Sequence, residues 1–208
     1  MSERLVMVGA AGSGRELLDV VEAAGGYDIV GVVDDAPSDV NVQRLRDRGI
    51  PLLGSLEEWL ARGERVRYLV GIEDPSVRRR IDRLFQDAGD VPATVVHPAA
   101  VIGSRTSFGE GTVIGAGAVI STNVTTGRHV HVLANATVGH DTIIGDHSSL
   151  WPAGVLSSEI RVGEGVIVGA GALVLPGLTV GDDAVVGAAA CVVRDVPPGA
   201  VVKGVPAR

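Results

Sequence analysis

Two patterns of apolar and polar residues divide this chain of 208 residues. In residues 1–97, short apolar runs alternate with segments of helical spacing. Residues 5–8 read as an apolar strand that ends in Gly9-Ala10-Ala11-Gly12-Ser13-Gly14. Residues 15–24 put Leu17, Leu18, Val21 and Ala24 on one helical face. Further strands are predicted at 27–33, 51–53, 66–72 and 93–96. Further helices are predicted at 40–48, at 56–61 behind the cap Ser55, and at 75–88 starting on Pro75. Arg78, Arg79 and Arg80 are assigned to the solvated face of that last helix. Strands alternating with helices predict a small, parallel, Rossmann-like α/β sheet.

From residue 98 to 208 the helical periods vanish and a period of six replaces them. Steps of six from Ile102 through Phe108, Ile114 and Ile120 to Val192 visit sixteen positions, of which fifteen are apolar and one is Thr126. Glycine follows ten of the sixteen, among them Gly103, Gly115, Gly139 and Gly187. Four residues after each apolar position stands a small or apolar residue, such as Ala118, Thr142 or Ala172. This period fits neither an α-helix nor a flat strand, but it fits a hexapeptide β-helix, in which three hexads make one triangular coil of 18 residues. The apolar side chain points inward, and glycine tolerates the tight corner. Sixteen hexads predict about five coils, and stacking at roughly 4.8 Å per coil makes a prism about 25 Å tall. Each coil satisfies its backbone against the coils above and below.

Composition narrows the function classes. The hydrophobic share is 46% but aromatics are only 3%, so the core is aliphatic. The 29 glycines are roughly twice ordinary usage, as a tightly repeating backbone requires. A net charge of −7 argues against nucleic-acid and anionic-membrane partners, which need basic surface. The single cysteine, Cys191, excludes an intramolecular disulfide and a Cys-rich zinc site. No apolar run reaches the roughly 18 to 20 residues of a membrane span, and the first residues do not read as a signal peptide. A soluble cytoplasmic protein is expected.

The glycine-rich loop joins a strand to a helix, where backbone N–H groups attract phosphate. Its spacing is G-x-x-G-x-G and not the dinucleotide G-x-G-x-x-G. Asp34, twenty positions after Gly14, suits a ribose or base contact. A dinucleotide site is the rival, but 97 residues cannot hold both halves of a dinucleotide fold. A tight turn that binds nothing remains an alternative.

The hexapeptide repeat, the closing Val202-Lys203-Gly204-Val205-Pro206-Ala207-Arg208 and the glycine-rich first strand together resemble a known family. This is the nucleotide-sugar N-acetyltransferase and sialic-acid O-acetyltransferase group of left-handed β-helix acyltransferases. The resemblance implies a left-handed parallel β-helix, a homotrimer with active sites between adjacent prisms, and acetyl-CoA as co-substrate without a metal. It implies a nucleotide-diphospho-sugar on Gly9, Gly12, Ser13 and Gly14, with the base near Asp34 and Asp35. Residues 1–97 would then bind the nucleotide sugar, and residues 98–208 would carry the transferase.

Of the five histidines, His97 precedes Pro98 at the junction and reads as structural. Gly139-His140-Asp141 resembles the family's catalytic stretch, which implies His140 as general base and Asp141 as its orienting partner. An imidazole, with an unperturbed pKa near 6.5, suits that task. Many members carry a second His nine residues later; here that position is Ser149, with His131 one coil away. The family's oxyanion-hole glycine falls on Ser158, whose backbone N–H could still serve. Ala170, Gly171 and Ala188 are implied as walls of the pantetheine channel, and Lys203 and Arg208 as contacts for CoA phosphates. His129 and His147, 18 residues apart, should stack as surface histidines. A β-helix zinc carbonic anhydrase is disfavoured because its His spacing is absent. N-acetylation of a nucleotide-linked amino sugar is the primary expectation. O-acetylation of a sugar hydroxyl and a nonenzymatic trimeric scaffold are the rivals.

Overall fold

The structure is a computed structural model and describes residues 2–208. The chain divides into two compact units, one ending at Thr94 and the other spanning Val95–Arg208.

In the first unit the order is β1 (Glu3–Val8), α1 (Gly12–Ala24), β2 (Tyr27–Val33), α2 (Asp39–Asp47), α3 (Leu56–Ala61), β3 (Arg67–Val70), α4 (Pro75–Ala88) and β4 (Val91–Pro92). The strands form one parallel sheet in the order β2-β1-β3-β4. Leu5, Val6, Met7 and Val8 are all buried, as a central parallel strand covered on both faces should be. Val6 and Val8 share a core with Trp59, Tyr68 and Phe85, whose last two rings stack at 4.2 Å. Local chemistry sets the helix ends. Ser55 and Glu58 form a capping box on α3, Asp74 accepts from the Ser76 and Val77 amides at α4, and Gly89 closes α4 in the left-handed conformation.

Four expectations for this unit change. The helix expected from residue 15 begins at Gly12, so the glycine-rich loop supplies its first turn. The strand expected at 51–53 shrinks to one bridge, Val32 to Leu52, because Pro51 has no N–H to donate. The strand expected at 93–96 is split: Val91–Pro92 joins the sheet, while Val95–Val96 pairs with Val113–Ile114 in the second unit. Arg78 is not solvated but fully buried, with Nη1 donating to the Ile72 carbonyl at 2.9 Å. Burial lowers its pKa to about 10, so it stays charged at neutral pH.

The second unit is a parallel β-helix. Its two-residue strands stack in three parallel sheets of seven, six and five strands. Partners such as Thr137 and Val155, or His131 and Ser149, stand one 18-residue coil apart. That makes about six turns rather than the expected five. The difference lies at the ends, where Val95–Val96 and Val201–Val202 add rungs to the largest sheet. Val96 stands six residues before Ile102 and so already belongs to the register. The hexad residues from Ile114 to Val192 fill the core. Thr126, the polar exception, is also buried, and its hydroxyl lies 3.2 Å from that of Thr112. The corners are tight. A Cβ on Gly139 would lie 1.6 Å from the Ser157 carbonyl oxygen in the next turn.

The seven-stranded sheet is called the first face, the six-stranded sheet the second, and the five-stranded sheet the third.

Candidate active site

Strands β1 and β3 are neighbours, yet the chain leaves β1 for β2 on the other side. That reversal is a topological switch point, where open α/β sheets bind ligands beyond the carboxyl ends of the strands. Gly9 makes the turn with φ 108°, and its N–H donates to Val33. A Cβ on Gly14 would stand 1.9 Å from the Gly9 carbonyl oxygen, so this glycine lets helix and strand close together. A Cβ on Gly12 would meet nothing within 4 Å. Ala11 caps α1 without a side-chain bond, and no acidic residue sits in the first turn. The first-turn N–H groups and the positive end of the helix dipole therefore suit an anion.

The acidic residues near this loop work differently from one another. Asp34 spends both oxygens on backbone: Oδ2 accepts from Ala10 N–H at 2.7 Å and Oδ1 from Ala36 N–H at 2.9 Å. It therefore shapes the loop. Asp35 commits only Oδ1, to the Leu56 N–H at 2.8 Å. Ser13 Oγ donates to Glu73, which follows β3. Arg15 ties the loop from below, through Ala10 O at 2.7 Å and Asn41 Oδ1 at 2.6 Å. A cavity opens at the strand ends, lined by Gly9, Asp34, Asp35, Leu56, Ile72 and Arg80 among others. Along the sequence Glu73 carries no functional signal, and Arg80 reads only as a solvated arginine, which its exposure bears out. Their positions after β3 and on α4, beside the switch point, are the signal that finds them.

In the second unit, His140 and Asp141 occupy the edge between the second and third faces, and half of each side chain is exposed. His140 Nδ1 lies 2.6 Å from Asp141 Oδ2. Asn123, one turn away on the same edge, donates from Nδ2 to Asp141 Oδ1 at 2.9 Å. The Asn123 amide first, and His140 second, hold the Asp141 carboxyl below the usual carboxylate range. An ionised carboxylate at Nδ1 accepts a hydrogen bond from an N–H there, which leaves the free lone pair of a neutral ring on Nε2. Asp141 holds the left-handed backbone, φ 57°, that turns its carboxylate back along the edge. Ser158 stands one turn from His140 on this edge, and the backbone links the turns through Glu159 N–H and the His140 carbonyl at 2.8 Å.

The proposed cofactor residues fall into groups. Ala170, Gly171, Ala188 and Lys203 share the edge between the first and second faces, and Ala189 N–H donates to Ala170 O at 2.9 Å. The second face therefore joins this edge to that of His140. Ser149 is on neither edge. It pairs with His131 on the first face and is 4% exposed, so it offers no open surface to a cofactor. His131 is equally buried. His129 and His147 do stack, with ring centroids 5.5 Å apart, but they are buried, not surface, histidines. Among the described residues, no three His, Cys, Asp or Glu side chains are grouped as a metal ion would need.

Known proteins share this fold. The family model described as the PglD N-terminal domain matches residues 4–83. The crystal structure of PerB from Caulobacter crescentus, in complex with CoA and GDP-perosamine, is 31% identical with a TM-score of 0.89. The alignment covers 98% of this chain and 95% of that one. A variant of perosamine N-acetyltransferase from the same organism, with the same ligands, is 30% identical over the same shares, TM-score 0.88. The acetyltransferase domain of PglB from Neisseria gonorrhoeae, with acetyl coenzyme A, is 27% identical with a TM-score of 0.87, covering 100% of this chain and 99% of that one. No curated protein sequence matches the chain.

Proposed function

Because this chain belongs to the nucleotide-sugar N-acetyltransferase family of hexapeptide-repeat β-helix proteins, we propose that it transfers acetyl from acetyl-CoA to the amine of a nucleotide-linked amino sugar. The observation that carries this reading is the His140–Asp141 pair on an exposed β-helix edge, held at 2.6 Å and supported by Asn123. The uncapped start of α1, at the switch point of the sheet, supports a diphosphate there.

The proposed reaction is a direct transfer. The amine nitrogen attacks the thioester carbonyl carbon, and His140 Nε2 takes a proton from that nitrogen. Asp141 stabilises the imidazolium that results. Backbone N–H at Ser158 is the candidate donor to the developing oxyanion. As the tetrahedral carbon collapses, the C–S bond breaks and the imidazolium returns its proton to sulfur. The products are the acetamido sugar and CoA-SH, and no acyl-enzyme forms. The pantetheine arm runs along the edge of Ala170, Gly171 and Ala188, whose small side chains permit close approach to the backbone, with Lys203 and Arg208 toward the CoA phosphates. The functional assembly is a homotrimer. Val101 and Val119, adjacent rungs of the second face, are exposed apolar residues that such packing would cover.

The test is acetyl transfer by purified protein, read as CoA thiol release, with GDP-perosamine leading a panel of nucleotide-linked amino sugars and free sialic acid alongside. Thiol release with an amino sugar is expected, and sedimentation should give the mass of three chains. Release only with the sialic acid hydroxyls, or with no acceptor at all, would overturn the assignment. A monomeric mass would overturn the trimer.

A further inference from the structure

The cavity at the switch point contains a charge that the mechanism does not use. Arg80 lines it from α4, and among the described lining residues it is the only cation. Arg80 is exposed and makes no hydrogen bond or ion pair with any described residue. The contrast with its neighbours is informative. Arg78, two positions earlier, is buried and bonded to Ile72 O. Asp34, across the cavity, has both oxygens committed to backbone amides. Among the side chains lining it, Arg80 has no partner and Asp35 has one oxygen uncommitted.

A second groove extends the space. Arg80, Asp35 and Leu56 line it too, now with Leu60, Leu84, Ser55 and Glu57. Arg80 and Asp35 thus line both spaces, and Leu56, Leu60 and Leu84 give the second an apolar floor beside the polar Ser55 and Glu57. Phosphates held at the start of α1 would send a nucleoside toward that floor, which suits the flat face of a base. The edge of the base would then meet a guanidinium donor and a carboxylate acceptor together. Guanine carries the complementary edge. Its O6 and N7 accept from a guanidinium, and its N1–H and N2–H2 donate to a carboxylate. Adenine turns an amino group toward the guanidinium, and uracil offers it a single O4 acceptor.

We infer that Arg80 is the residue that selects the base of the nucleotide sugar, and that it selects guanine, with Asp35 Oδ2 receiving the donor edge. This inference rests on the nucleotide-sugar reading above. Arg80 touches neither the amine nor the thioester, so its effect belongs to binding and not to the transfer step.

The experiment is calorimetric titration of the full-length protein with GDP, UDP and ADP, repeated for Arg80→Ala and Arg80→Lys. Wild type should bind GDP at least about tenfold more tightly than UDP or ADP, the size of one good bidentate contact. Arg80→Ala should lose about tenfold or more for GDP and leave UDP and ADP within about threefold, so that selectivity collapses. Arg80→Lys should recover only part of it, because an ammonium lacks the planar fork. Equal weakening of all three nucleotides would make Arg80 a phosphate contact and overturn the inference. Unchanged GDP affinity, or a wild-type preference for UDP or ADP, would also overturn it. Wild type that binds none of the three would instead overturn the nucleotide-sugar reading itself, and this inference with it.

Discussion

An imidazole on an exposed edge acts as a base only when one nitrogen is committed and the other is open. Asp141 supplies that commitment, and Asn123 keeps Asp141 ionised. The sign of the linkage follows from the depressed carboxyl. Its contribution is present above the ordinary carboxylate pKa and is lost only as pH falls through the lowered value. Across the range of about pH 5 to 8, where imidazoles titrate, the partner therefore keeps its charge. His140→Ala should reduce kcat by about 10²- to 10⁴-fold at unchanged thermal stability. Asp141→Asn removes the anion that supports the imidazolium. It should lower kcat about tenfold or more. An Asp141→Asn variant with the kcat of wild type would show that the carboxylate does not act through His140. Pairs this close in sequence could be read without coordinates. Ser13 with Glu73, by contrast, joins residues 60 positions apart, and no local pattern encodes that contact.

At the scale of elements, the strand-to-helix turn separates two glycine roles that the sequence presents as one motif. Gly14 is packed against backbone, because its added Cβ would come within 1.9 Å of the Gly9 oxygen. Gly14→Ala should therefore destabilise the α/β unit by about 1–3 kcal/mol, the usual cost of overpacking, seen as a lower urea midpoint. Gly12 faces open space at the first turn of α1. Gly12→Ala should leave the urea midpoint level or raise it, since alanine is the better helix former by roughly 0.5–1 kcal/mol. The same methyl would obstruct the proposed phosphate site at this turn, so GDP affinity should fall at least about tenfold even though the fold is intact. If Gly12→Ala bound GDP as wild type does, the anion site would have to lie elsewhere. The hexads were legible because every sixth side chain must enter the prism. Thr126 kept the register, since its hydroxyl found a partner in Thr112. The helix of residues 75–88 was legible in extent but not in burial. Its three consecutive arginines look alike along the chain, and only tertiary packing separates buried Arg78 from exposed Arg80. The buried His129, His131, His147 and Ser149 escaped for the same reason, because polar residues within the hexads carry no sign of what will cover them.

Taken as a whole, the chain holds two cores built on different rules. One is an α/β core of Val6, Trp59, Tyr68 and Phe85. The other is a column of aliphatic side chains from Ile114 to Val192 that repeats turn by turn. A solenoid gains stability from neighbouring turns, whereas a sheet covered by helices melts as one packed layer. The proposed reaction assigns one ligand to each core, nucleotide to the first and CoA to the second. A ligand stabilises only the state that binds it, by about 2.7 kcal/mol when present at a hundredfold excess over its Kd. Scanning calorimetry should therefore resolve two transitions. GDP should raise one and CoA the other, and Gly12→Ala should abolish only the GDP response. His140→Ala should keep both responses, since the imidazole serves transfer and not adhesion. A single transition raised equally by either ligand would mean that both ligands bind one cooperative body, and the division of labour between the two cores would be lost.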